Sequence, residues 1–188
     1  NVEKIIINTH YLSDQVNDFL DNNYLNKLNI KKFHEKKLLG TAGTLIANYQ
    51  FFINSTGLII HSDNFTHMQL TNLLESHYKR PKSCLITMLT FTTNNPESCG
   101  IVELDNEGIV QGFHEKVLEP PGKIANGAVY VFDNEFIEWL IGNHQDAKDF
   151  STEVLPFLLG KIYSYHTNLD YIDIGTIKSL KEARSIKN

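Results

Sequence analysis

The sequence has only two cysteines, Cys84 and Cys99, in 188 residues. They make neither a disulfide framework nor the close pairs of a zinc site, and free thiols point to a cytoplasmic protein. No apolar run approaches the ~20 residues needed to cross a bilayer, and the start shows no signal-peptide pattern, so no membrane partner is expected. Positive charge is in deficit: 17 Lys and Arg against 22 Asp and Glu give a net charge of −5. With no basic block either, nucleic acid is not an expected partner. The eight histidines lack H-x-x-x-H spacing, and neither a G-x-S-x-G elbow nor a G-x-x-x-x-G-K-S/T loop occurs. Internal repeats and low-complexity linkers are also missing.

What is present is an alternation of apolar runs and amphipathic stretches. The chain has the size of one domain with a sizeable core, at 41% hydrophobic residues. Val2 to Ile7 is a predicted strand. Ser13 is a predicted N-cap before an apolar stripe of Val16, Phe19 and Leu20. Asn29 to His34 is the next predicted strand, and a helix with Leu45, Ile46, Tyr49 and Phe52 follows a glycine turn. Leu58 to His61 is a strand; Thr66 to Gln69 has the form of a capping box, before a helix with Leu70, Leu73, Leu74 and His77 on one face. Ser83 to Phe91 is a strand, and residues 100–113 form a hairpin turning at Asp105 to Gly108. Ala125 to Phe132 is a strand, with Asp133 as cap of a helix holding Phe136, Ile137, Leu140 and Ile141. Ser151 to Leu159 is a short helix, Ile162 to His166 and Tyr171 to Ile174 are late strands, and Thr176 caps a last helix with Ile177, Leu180 and Ala183 inward. Strands alternating with helices predict a doubly wound α/β sheet, with the hairpin adding antiparallel pairing.

Two stretches stand out. Leu38-Leu-Gly-Thr-Ala-Gly-Thr-Leu45 is a glycine-bearing turn that opens a helix. Gly40 and Gly43 remove side chains where a ligand could approach, and N–H groups at a helix start suit anions or acceptor-rich rings. Leu58-Ile-Ile-His-Ser-Asp63 is a strand ending in a carboxylate, at the sheet edge where α/β proteins bind ligands. A second acid, Asp173, sits in Tyr171-Ile-Asp-Ile-Gly-Thr176. Each Asp alone could simply end a strand or cap a helix; two in such settings suit one divalent ion.

These motifs resemble those of the sugar-1-phosphate nucleotidyltransferases, above all the mannose-1-phosphate and heptose-1-phosphate guanylyltransferases. The resemblance runs over nearly the whole chain. It implies a Rossmann-like nucleotidyltransferase fold, a mixed and mostly parallel sheet with helices on both faces. It also implies transfer of a nucleotidyl group from an NTP to a sugar 1-phosphate, giving an NDP-sugar and pyrophosphate. Asp63 and Asp173 match the family's Mg²⁺ ligands. Lys116 matches its sugar-phosphate lysine, and Glu115, Gly100, Asn126 and Gly127 match its sugar contacts. Leu39, Gly40, Thr41 and Gly43 match its nucleotide turn. Glu35, five residues before Gly40, matches its base reader. A carboxylate can accept both guanine edge donors, so GTP is the expected nucleotide. The other reading of Glu35 is a surface residue beside Lys36 and Lys37.

The sequence departs from the family pattern at Ser62, Cys99, Val117 and Tyr171, where the family has Gly, often an aromatic residue, Pro and Trp. The family's opening Gly-Gly-x-Gly-Thr-Arg-Leu loop, which cradles the triphosphate, has no match. Residues 1–188 are therefore expected to be an N-terminally truncated nucleotidyltransferase domain that transfers nucleotide poorly by itself. A central strand would be missing as well, which predicts an open edge and homo-oligomers or aggregates. Two rivals remain: a regulatory subunit that binds nucleotide-sugars, and a metal-dependent glycosyltransferase, whose usual Asp-x-Asp pair is absent after Asp63.

Overall fold

The computed structural model describes residues 2–24 and 27–186. In chain order the elements are β1 (Ile5–Thr9), α1 (Ser13–Tyr24), β2 (Ile30–His34), α2 (Thr41–Ala47), β3 (Gly57–Ile60), β4 (Asn64–Thr66), α3 (Leu70–Tyr78), β5 (Ile86–Thr92), β6 (Gly100–Leu104), β7 (Val110–Glu115), β8 (Ile124–Phe132), α4 (Asn134–Asn143), α5 (Phe150–Glu153), β9 (Ile162–Thr167), β10 (Tyr171–Asp173) and α6 (Ile177–Ser185).

β8 is the axis of the main sheet. β5 runs along one of its edges, from Ile86 opposite Phe132 to Thr92 opposite Ile124. β3 and β6 share the other edge, through Ile60 opposite Val129 and Ile101 opposite Ala125. β9 lies parallel to β5, and β7 closes the hairpin on β6. The sheet is mixed, as expected, and β3, β5, β6 and β9 share one direction. The expectation of mostly parallel pairing needs correcting. β8 runs against β3, β5 and β6, and the tight hairpin forces β6 and β7 antiparallel. β1 and β2 form a separate parallel pair, and β4 with β10 a short antiparallel one.

Alternation along the central strands builds two cores. Tyr130 and Phe132 face α2, α4 and α5 with Met88, Leu45, Phe136, Leu140 and Phe150. Val129 and Val131 face α3 with Leu89, Leu73 and Met68. Both faces of the sheet therefore carry helices, the result of a two-residue period over residues 129–132 of β8.

Four local expectations change. Phe19 and Ile177 are exposed rather than inward. Thr66 is a residue of β4, and its hydroxyl accepts from Met68 N at 3.1 Å; α3 starts after Gln69 without a side-chain cap. Asp133 stands at the N-cap of α4 but does not cap it, because its carboxylate is drawn to Thr56, His77 and Arg80.

Candidate active site

The short β4–β10 ladder brings the two acids together. Asp173 pairs with Asn64, the neighbour of Asp63, and Ile174 N donates to Asp63 O at 2.8 Å. Asp173 Oδ1 accepts from Gly175 N at 2.7 Å. A Cβ on Gly175 would lie 2.8 Å from Asp173 Oδ1 and 3.6 Å from Asp63 Oδ2, so both carboxylates border the space that this glycine leaves open. Asp173 is exposed and Asp63 half-buried. Two carboxylates around one small space suit Mg²⁺, which takes few protein oxygens and keeps the rest for water and phosphate.

The same edge reaches the strand expected to contact sugar. Gly127 O accepts from Asn64 Nδ2 at 3.2 Å and from the Tyr171 hydroxyl. Burial, with the charges of Asp173 and Asp63 behind it, raises the Tyr171 phenol and keeps it a donor. Asn126 Oδ1 accepts from Ala128 N at 2.9 Å, and its amide donates to Tyr130 Oη at 2.7 Å. One amide proton and one lone pair of Asn126 remain for a ligand.

Gly100 pairs with Glu115, and the Ile101–Ala125 pair sets Gly100 beside Asn126. Lys116 follows in a left-handed conformation (φ 49°), its N–H bonded to Cys99 O at 3.1 Å. Its ammonium is 3.7 Å from Glu115 Oε1, with the side chain 65% exposed. The structure thus gathers Gly100, Glu115, Lys116, Asn126 and Gly127 around the β6–β8 junction.

The glycines themselves have packing reasons. A Cβ at Gly100 would come within 2.7 Å of Glu115 Oε2, and one at Gly127 within 3.2 Å of Leu89. At Gly40 (φ 82°) it would be 2.4 Å from Lys148 O. The expectation of free amides at the glycine turn also needs correcting. Ala42 N and Gly43 N both donate to Lys148 O, at 2.9 and 3.3 Å, and the Thr41 hydroxyl accepts from Phe150 N at 2.8 Å. The turn docks onto the entry to α5 instead.

Glu35 is not the surface residue of the second reading, being 2% exposed. Its Oε1 accepts from Thr44 Oγ1 and from Asn8 Nδ2 at 3.3 Å, and its Oε2 from Leu39 N at 3.0 Å. The carboxylate faces inward and braces the glycine turn. Sequence reading missed this brace, the docking on Lys148 and the Gly127 carbonyl; only Tyr171 carried a signal, its place in the second acid's motif.

A family model described as "Nucleotidyl transferase" matches residues 1–187. The chain belongs to the nucleotidyl transferase family. It is similar to the glucose-1-phosphate adenylyltransferase of Clostridium acetobutylicum, 28% identical over 156 residues that cover 77% of this chain and 40% of that protein. The chain thus spans well under half the length of that curated relative. Among solved structures it is similar to HddC from Yersinia pseudotuberculosis complexed with GMP-PN (TM-score 0.79, 20% identity, 97% of this chain and 77% of that one). It is also similar to a Bacillus anthracis protein proposed to be a glucose-1-phosphate thymidylyltransferase, in complex with a sucrose (TM-score 0.82, 20% identity, 100% and 78%). At that identity the structures establish the Rossmann-like nucleotidyltransferase fold. Among the described residues no helix is long and apolar enough to cross a membrane.

Proposed function

We propose that this nucleotidyl transferase domain serves the transfer of a nucleotidyl group from an NTP to a sugar 1-phosphate. One observation carries the reading: Asp63 and Asp173 border a single space and are tied through Gly127 to the strand bearing Asn126. A sugar-phosphate oxygen attacks the α-phosphorus, the bond to the bridging oxygen breaks, and pyrophosphate leaves. The attacking group is already an anion, so little acid–base help is needed; alignment and charge neutralisation dominate. Mg²⁺ held by Asp63 and Asp173 would supply that neutralisation. Lys116, exposed at the end of β7, supplies a compact positive charge for the sugar phosphate. Glu115 and Asn126 offer acceptors and a donor for sugar hydroxyls.

Within this reading GTP is the expected donor, and the adenylyltransferase relative makes ATP the decisive competitor. Glu35 would favour GTP only through the glycine-turn backbone that it braces, since its carboxylate faces inward. The 188 residues contain no Gly-Gly-x-Gly-Thr-Arg-Leu pattern, so by themselves they are expected to bind substrates and turn over poorly. The test is calorimetry with Mg²⁺, comparing GTP, ATP, TTP and UTP, then mannose and glucose 1-phosphates. Turnover is measured in a version with a family glycine-rich loop placed ahead. Binding of neither substrate class overturns the reading. Preference for ATP overturns GTP alone. Binding without turnover in the extended version favours the regulatory alternative.

A further inference from the structure

β4 and β10 both grip one carbonyl. Asn64 on β4, next to Asp63, donates to Gly127 O at 3.2 Å, and the Tyr171 hydroxyl on β10, two residues before Asp173, donates to the same atom. A carbonyl oxygen has two lone pairs, so these two donors complete it. The place is one where the β8 backbone needs holding. The β5–β8 ladder changes register between Met88 and Thr90, and Ala128 adopts a left-handed φ of 51°. Ordinary ladder bonds therefore do not fix residues 127 and 128. The Tyr171 ring is itself fixed, packed against the Leu73–Leu89–Val129–Val131 cluster and 4.7 Å from the Phe91 ring. A clamped ring turns its hydroxyl into a rigid reference point.

We infer that Tyr171 is a positioning residue: its hydroxyl, acting through the Gly127 carbonyl, sets Asn126 and the sugar side of the site against Asp63 and Asp173. The inference rests on the functional reading above, and it assigns to the hydroxyl a role in holding the sugar phosphate rather than the nucleotide. Ring packing alone would need no hydroxyl. The sugar phosphate has to meet β8 and the acid pair at once, so a small displacement of residues 126–128 misaligns it.

Tyr171→Phe keeps the ring and leaves Gly127 O with Asn64 alone. The probes are mannose 1-phosphate and glucose 1-phosphate, titrated into the chain with Mg²⁺, beside GTP and ATP. Affinity for whichever sugar phosphate binds should fall roughly fivefold, the scale of one neutral hydrogen bond, while nucleotide affinity holds and the melting temperature falls only slightly. Tyr171→Trp retains an N–H donor and should recover part of the loss. Amide exchange in the free protein gives a readout independent of any sugar: Ala128 should exchange several-fold faster in Tyr171→Phe, with the α3 and β5 amides unchanged. If wild type binds neither sugar phosphate, the functional reading fails and this inference with it. If wild type binds and Tyr171→Phe binds equally well, the role of Tyr171 fails alone. If sugar phosphate, nucleotide and melting temperature all decline together, Tyr171 is a structural residue and the inference is overturned.

Discussion

Lys116 and Glu115 sit 3.7 Å apart with the lysine side chain 65% exposed, so solvent screens the pair and it adds little to stability. A phosphate arriving there would gain a charge-assisted contact of ~1.5–3 kcal/mol. Lys116→Ala should therefore weaken sugar 1-phosphate binding roughly ten- to hundredfold by calorimetry, with triphosphate binding and melting temperature nearly unchanged. A loss under about threefold would place this lysine in solvent. Asp173→Asn keeps an oxygen for Gly175 N but halves the charge facing Mg²⁺. Turnover in the loop-bearing version should drop far more than stability does; equal losses would make Asp173 structural. Glu35 separates two roles with one substitution. Glu35→Gln turns an NH₂ toward Leu39 N, Thr44 or Asn8 and should lower the melting temperature, at a cost of ~1–3 kcal/mol. Equal weakening of all four nucleotides marks a brace; narrowing of a GTP preference alone marks a base reader.

At the scale of elements, α3 is fastened to the end of β8 by a polar cluster far along the strand from Asn126. His77 Nε2 lies 3.1 Å from Asp133 Oδ2 and Nδ1 lies 2.9 Å from Thr87 Oγ1, while Arg80 donates to Asp133 at 2.8 Å. A carboxylate only accepts, so neutral His77 carries its proton on Nε2 and takes the Thr87 hydroxyl on Nδ1. Burial, then the Arg80 charge, pushes the His77 ring from the usual 6.5 down to about 4, against the pull of Asp133. Burial alone would raise Asp133, but bonds from Thr56 and Arg80 and the neighbouring positive charge leave it low. Between about 4 and 6.5 the unfolded chain binds the His77 proton and the folded one does not, so stability is full above 6.5 and falls as pH drops through that window. Denaturant midpoints measured from pH 7.5 to 4.5 should show this decline, and His77→Gln should flatten it from a lower starting stability. A wild-type profile as flat as the variant's would refute the buried neutral histidine.

On the scale of the molecule, strand edges stand open among the described residues. Among the described residues β1 pairs only with β2, and β3 pairs only with β8, so each leaves one edge without a strand partner. Unpaired edges template association. We expect a mass by light scattering that rises with concentration, and Lys or Pro placed in β3 should suppress it. A monomer at every concentration would show that these edges are protected.

The sequence by itself determined the α/β class, most strand and helix positions, and the hairpin with its Asp105–Gly108 turn. These follow from local signals, two-residue and 3.6-residue apolar periods and turn chemistry, whereas the convergence of Asp63 and Asp173 was implied by the family resemblance. Phe19, Ile177, Thr66 and Asp133 escaped, since periodicity gives a face but not whether a partner covers it, and a capping residue goes wherever stronger donors stand. Only the tertiary structure decided the direction of β8 against its neighbours, the docking of the glycine turn on Lys148, and the inward carboxylate of Glu35. Those depend on contacts between residues far apart in the chain, such as Ala42 with Lys148 or Gly127 with Tyr171, and no local pattern encodes which buried donor an acceptor will meet.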